Sequence, residues 1–258
     1  MEYKKNVMRK LGIISLLIAS ALLTTAAFAA TPQPVTYKSG ADSVPGILYV
    51  PDRAKGKLPA IVVIHEWWGL NDWVKEQASK LADQGYVTLA MDLYRGKVAS
   101  SPDEAHELMR GLPDDRALRD LRAAVAFLAA RKDVDAKRIG AIGWCMGGGK
   151  AALLAANEPS LRAVVVNYGS LPADATSLKG WNAAMLGLFG GKDRGIPPES
   201  AHQFEATMKK LGKYAEVHVY PDAGHAFENP NNKAGYRADD AADAWKRLTD
   251  FFAAKLKH

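Results

Sequence analysis

Short, continuous apolar runs alternate along the chain with stretches whose apolar residues recur at helical spacing. Residues 60–64 (Ala-Ile-Val-Val-Ile) form an unbroken, β-branched-rich run, and 86–91, 163–167 and 184–189 are predominantly apolar runs. Such runs mark strands covered on both faces, because a half-exposed strand alternates apolar with polar residues. Residues 138–143 and 216–220 read as two further strands, and residues 34–38 and 46–50 as a short hairpin or edge pair around Gly40 and Pro45. Helices are expected over residues 73–84, 103–110, 115–131, 147–156, 198–211 and 234–256. The third of these carries Leu118, Leu121, Val125 and Leu128 on one face. Buried strands separated by helices predict an α/β fold with a mostly parallel central sheet and helices on both faces. No linker rich in Pro, Gly and Ser divides the pattern, so residues 30–258 are expected to form one domain.

The first 29 residues break the pattern. Lys4, Lys5, Arg9 and Lys10 precede an apolar stretch that ends in Ala27-Phe28-Ala29. A basic start, an apolar middle and a small-x-small end form a bacterial-type secretory signal, with cleavage expected after Ala29. An uncleaved anchor is the alternative, since the apolar stretch approaches spanning length. The expectation is export to the periplasm or medium, with no stable membrane insertion after cleavage. The whole chain carries a net charge of +6. Removing the signal's four basic residues and one acidic residue leaves 30 basic against 27 acidic residues, a net of about +3. No basic cluster or interleaved aromatic stripe remains, and no nucleic-acid partner is expected. A monomer is expected.

Against this background the chemistry concentrates at strand ends, where such sheets place ligands. The sequence has one cysteine, Cys145, so no disulfide can form within the chain. It lies in Gly143-Trp144-Cys145-Met146-Gly147, between an expected strand and an expected helix. G-x-C-x-G is the cysteine form of a nucleophile elbow, a turn so tight that its flanking positions leave no room for side chains. Alone it fits a glycine-rich turn around a packing cysteine equally well. Asp193 follows the 184–189 strand, where it could instead cap the next helix, and His225 follows the 216–220 strand, where a surface role is the plain alternative. Nucleophile, acid and base in that order, each just past a strand end, make the set Cys145, Asp193, His225 a catalytic triad candidate. Glu66 stands after the 60–64 strand, at the place where such a fold builds half of its oxyanion hole, an odd position for a carboxylate.

His65-Glu66-Trp67-Trp68-Gly69, Asp92-Leu-Tyr-Arg95-Gly96, Gly143-Trp-Cys145-Met-Gly-Gly148, Gly191-Lys-Asp193 and Gly224-His225-Ala-Phe227 together resemble the dienelactone hydrolases, in the order that family has them. The resemblance implies that Glu66 faces the resting cysteine and acts as a switch that lets the thiolate form when substrate binds. It also implies hydrolysis of an ester or lactone through Cys145, with the backbone N–H groups of Trp67 and Met146 as the oxyanion hole. Arg95 matches an arginine that holds a substrate carboxylate, the plain alternative being a solvated loop arginine. A second such arginine is absent, because Glu228-Asn229-Pro230 follows the histidine region. Trp68 and Trp144, with Trp67, are candidates to wall the substrate pocket, or else core plugs. No cofactor is implied, and no metal is expected because no His, Cys and Asp cluster has ligand spacing. His65 is read as a hydrogen-bonded structural residue. Two other readings stand beside the lactone hydrolase: a general aryl or short-acyl esterase or thioesterase, and a non-catalytic envelope binding protein on the same fold.

Overall fold

The computed structural model describes residues 30–52 and 56–257, so the expected signal peptide lies outside the described residues. Its strands are β1 (Pro32–Ser39), β2 (Asp42–Tyr49), β3 (Leu58–Ile64), β4 (Val87–Met91), β5 (Val134–Trp144), β6 (Ala163–Asn167), β7 (Ala184–Gly190) and β8 (Ala215–Tyr220). The helices are α1 (Asp72–Asp83), α2 (Pro102–Arg110), α3 (Asp114–Ala129), α4 (Met146–Asn157), α5 (Pro198–Lys210) and α6 (Ala238–Leu256). The strands form one sheet in the order β1-β2-β4-β3-β5-β6-β7-β8. The β1–β2 and β2–β4 pairs are antiparallel, and all the others are parallel. The hairpin expected from Gly40 and Pro45 is therefore the outer edge of a parallel sheet.

Alternate residues of one strand feed two separate cores. Ala60, Val62 and Ile64 of β3 pack with Leu121 and Leu128 of α3, Leu154 of α4 and, farther along, Phe204 of α5. Ile61 and Val63 pack on the other face with Val74 and Leu81 of α1 and Leu248 and Phe252 of α6. This two-sided burial is what the unbroken apolar runs anticipated, since both faces of each pleat are shut off from water.

The strand order reverses at β3. From β3 the chain crosses to β4 on one side through α1, and β5 lies on the other side, with α4 leaving it across the opposite face. A crevice opens at the carboxyl ends of strands where the winding reverses in this way. Register brings the groups there together: Ile64 pairs with Gly143, Trp144 with Asn167, and Gly190 with Tyr220.

Three elements differ from the sequence expectation, the first being β2, which starts at Asp42 rather than 46 because Ser39 and Lys38 pair with Asp42 and Ser43. β5 starts at Val134 rather than 138, because Leu58 pairs with Val134 ahead of a register shift. α6 starts at Ala238 rather than 234. Ahead of it the chain makes successive turns, with Asn232 N–H donating to Asn229 O, Tyr236 N–H to Asn232 O and Arg237 N–H to Phe227 O. Asparagines and a glycine in residues 229–236 favour turns over a first helical turn.

Candidate active site

β5 runs directly into α4 through Cys145, whose φ is 54° and ψ is −118°. A non-glycine residue held there carries on the order of 1–3 kcal/mol of strain, and packing must enforce it. The neighbours show how. A Cβ on Gly143 would lie 2.0 Å from the Gly147 carbonyl oxygen, and one on Gly147 would lie 2.4 Å from that of Ile64. Cys145 N–H donates to Asn167 O at 3.0 Å, while the buried Asn167 side chain donates back to Gly143 O at 3.1 Å. The end of β6 thus pins both sides of the turn. The thiol is left partly exposed at the first turn of α4, whose N-terminal partial charge favours an anion.

His225 and Asp193 come to the same place from the ends of β8 and β7. Asp193 Oδ2 lies 2.6 Å from His225 Nδ1, and Asp193 Oδ1 accepts N–H bonds from Gly195 at 2.8 Å and Ile196 at 3.0 Å. Burial works against the Asp193 carboxylate, yet the His225 bond and these backbone donors hold it below the usual carboxylate range. Burial also works against an imidazolium at His225. The Asp193 bond, with hydrogen bonding and charge from Cys145, outweighs it and raises His225 to about 10. With Nδ1 committed to Asp193, Nε2 is the nitrogen left for proton transfer. Tyr168, at the end of β6 with φ 38°, sets its ring against the imidazole at 5.2 Å between centroids.

Glu66 is 1% exposed. Its Oε2 accepts from Asn229 Nδ2 at 2.6 Å, and its Oε1 has no partner among the described residues. Burial pushes its carboxyl up to about 7, against the Asn229 bond and the charge of His225. His65 holds the segment from behind. Its Nε2 accepts the Leu93 N–H at 3.1 Å, so Nδ1 carries the proton and donates to Glu66 O at 2.6 Å. Burial keeps this imidazole neutral by lowering its pKa. The backbone N–H groups of Trp67 and Met146 have no acceptor among the described residues, and Met146 opens α4, where a helix leaves its first donors free.

Cys145 and His225 sit between two clefts. The larger, about 640 Å³, has Glu66, Trp67, Trp68, Val98 and Asn232 in its walls. The smaller, about 400 Å³, is lined by Met109, Met146, Lys150, Leu153, Tyr168 and Ser170. Trp68 is therefore a wall residue of the larger cleft. Trp144 is not, and this corrects the sequence expectation: it is 1% exposed, packs edge-on to Trp73 at 5.3 Å, and donates Nε1–H to Glu228 at 3.0 Å. On β5 it shares the pleat face of Ile142, which points into the core beneath α1 and α6.

Arg95 also departs from expectation. Its guanidinium lies 2.6 Å from the fully buried Asp120 carboxylate and donates to Asp92 O, and it is not among the residues lining either cleft. Removing it would leave the buried Asp120 carboxylate with only the longer contact to Arg119 at 3.6 Å, a costly loss for a buried charge. Asn167, Tyr168 and Asn229 were missed as site residues. The available signals were a polar residue closing the apolar run of β6, and an asparagine four residues past the histidine. Among the described residues no group of three or more His, Cys, Asp and Glu is arranged to hold a metal ion.

The chain is similar in sequence and fold to known proteins. A family model described as "DLH: Dienelactone hydrolase family" matches residues 44–256. The Salmonella typhimurium protein named "Putative carboxymethylenebutenolidase" is 36% identical over 230 residues, covering 83% of this chain and 84% of that protein. The protein of the same name in Escherichia coli K12 is 33% identical over 252 residues, covering 91% of each. Among solved structures, a dienelactone hydrolase-like promiscuous phosphotriesterase from metagenomic libraries superposes with a TM-score of 0.81 at 26% identity, covering 88% of this chain and 99% of that one. A Klebsiella pneumoniae protein described as "Putative Dienelactone Hydrolase" gives 0.79 at 31% identity, covering 87% and 99%. A sheet that reverses its winding at β3, a strained cysteine turn at that point and a family match over most of the chain lead to one assignment: the protein belongs to the dienelactone hydrolase family.

Proposed function

We propose that the protein hydrolyses carboxylic esters or lactones by acyl transfer through Cys145, with His225 and Asp193 as its proton-transfer pair and Glu66 as a switch. The observation that carries this reading is the strained Cys145 at the start of α4, next to a histidine whose far nitrogen is bonded to Asp193. The Cys145 thiolate attacks the carbonyl carbon, and the carbonyl π electrons move onto oxygen, where the N–H groups of Trp67 and Met146 receive the charge. As the tetrahedral species collapses, the ester C–O bond breaks and the His225 imidazolium gives its proton to the leaving oxygen. Water then adds to the thioester while His225 takes its proton, and the acid departs as the sulfur regains its electron pair. Glu66 serves as acceptor for the thiol proton before attack. A carboxyl that titrates near neutrality can take a proton and give it up again.

Two observations favour substrates that need no carboxylate of their own. Arg95 is already engaged by Asp120, and Asn229 bonds Glu66 in the segment where a second arginine would stand. Matched lactones with and without a free carboxylate are expected to react at similar kcat/KM, and Arg95→Ala is expected to leave their ratio unchanged. A preference of about tenfold or more for the carboxylated lactone, lost in Arg95→Ala, would restore arginine recognition.

We further propose export, with processing after Ala29. The Ala30 backbone N lies 3.2 Å from Asp83 Oδ1, so cleavage there would set a new ammonium against a carboxylate. N-terminal sequencing of protein recovered from its native host is expected to begin at Ala30; a chain beginning at Met1 would contradict this.

A further inference from the structure

Glu228 is a half-buried acid for which the triad has no use. Its Oε2 accepts the Trp144 indole N–H at 3.0 Å, and its Oε1 is shut off from solvent with no partner. No cation pairs with it among the described residues. Glu66 is in the same condition, with one oxygen on Asn229 and the other unpartnered. Tyr168 Oη is a third buried oxygen without a partner, and the charges of both carboxylates bear on it. Residues 228 and 229 are adjacent in sequence, so one short segment binds the elbow's Trp144 with the first and Glu66 with the second.

Two carboxylates that each keep one oxygen shut off from solvent, with no partner and no paired cation among the described residues, cannot both ionise cheaply. We propose that Glu66 and Glu228 act as one carboxylic-acid pair that holds a single proton across the neutral range, with Glu228 the member that keeps it. This deepens the proposed switch and rests on that reading for its purpose. A neutral Glu228 lets Glu66 ionise in the cleft it shares with Cys145 without a second negative charge near the oxyanion. Glu228 is thus a positioning residue, acting through Glu66 and Trp144.

The surroundings are consistent with this division. Glu66 has the shorter donor, Asn229 Nδ2 at 2.6 Å, and the nearby His225 charge to favour its anion. Glu228 has only the Trp144 N–H at 3.0 Å. Burial, opposed by that bond and reinforced by the Glu66 charge, pushes Glu228 up to about 8. The other titratable groups near it do not neutralise it. Tyr220 of β8 bonds Asp243 of α6, which Arg247 also engages, and His225 is committed to Asp193. Across a groove of about 400 Å³ between α1 and α6, which Glu228 lines, Lys80 pairs with Glu76 at 2.6 Å.

The test reads Trp144 directly. In protein labelled with 15N at the tryptophan indoles, and with the Trp144 signal assigned by Trp144→Phe, the Nε1–H resonance is followed from pH 6 to 10. It is expected to move with a midpoint near 8. In Glu66→Gln that midpoint should fall by about one unit, because the like charge is gone. In Glu228→Gln the step should vanish. A resonance that does not titrate in this range, or a midpoint that stays put in Glu66→Gln, would overturn the pair. Because the readout needs no turnover, it can fail while the triad stands, and the triad can fail while the pair survives.

Discussion

Replacing Cys145 with alanine is expected to lower kcat/KM on an aryl ester by about 10⁴-fold or more, leaving only what the oxyanion donors supply. The size follows from the architecture. The thiol is the sole cysteine in the sequence, it stands on the only turn where β5 and α4 meet, and both clefts converge on it with His225. Ser170 lines the smaller cleft, but no histidine hydrogen bond activates it among the described residues. Folding should be spared. Alanine meets the same left-handed strain as cysteine, and the pins at Asn167 are backbone and amide bonds that the substitution leaves intact. Unfolding in urea measured alongside the rate separates chemistry from stability: the midpoint should move little while the rate collapses.

Asp193→Asn should produce the next largest loss, about 10³- to 10⁴-fold, by analogy with removing the orienting acid of a catalytic triad. Its pH signature is more telling than its size. With Asp193 present, His225 stays an imidazolium until the pH approaches about 10. Without the carboxylate, only the Cys145 contribution still raises the folded pKa, so it falls and the charged ring is lost at a lower pH than in the parent. At pH 8 the variant then holds less of the cation that stands beside the sulfur. Iodoacetamide labelling of Cys145 at pH 8 should therefore slow relative to the parent protein. Labelling that matches the parent at every pH would show that Asp193 does not control the histidine.

How much of this was legible in sequence depends on which force set each feature. The sheet was readable because burial on both faces leaves predominantly apolar runs such as Ala163–Asn167, and the elbow because its glycines answer a steric need at Gly143 and Gly147. Asp193 and His225 were readable by position, each one turn past a strand. The face of Trp144 was not. In a strand buried on both sides, neighbouring residues are equally apolar, so composition cannot say which of them meets the pocket and which the core. Arg95 failed for a different reason. Its partner Asp120 lies 25 residues away on α3, facing inward from a helix whose spacing shows only that it packs. Asn229 and Glu228 were visible only as a departure from the resemblance, since their partners Glu66 and Trp144 are brought to them by folding alone. The start of α6 was overrun because residues 234–237 continue a helical spacing that the preceding asparagine turns interrupt.

The central claim is that Cys145 carries the acyl group. The most direct measurement is acid quenching of the enzyme during turnover of an aryl ester, followed by mass analysis of the peptide containing Cys145. The account predicts a gain equal to the acyl group on that peptide, absent in Cys145→Ala and accumulating in His225→Ala if any acylation survives there. Turnover with no acyl mass on Cys145, together with an active Cys145→Ala variant, would contradict it.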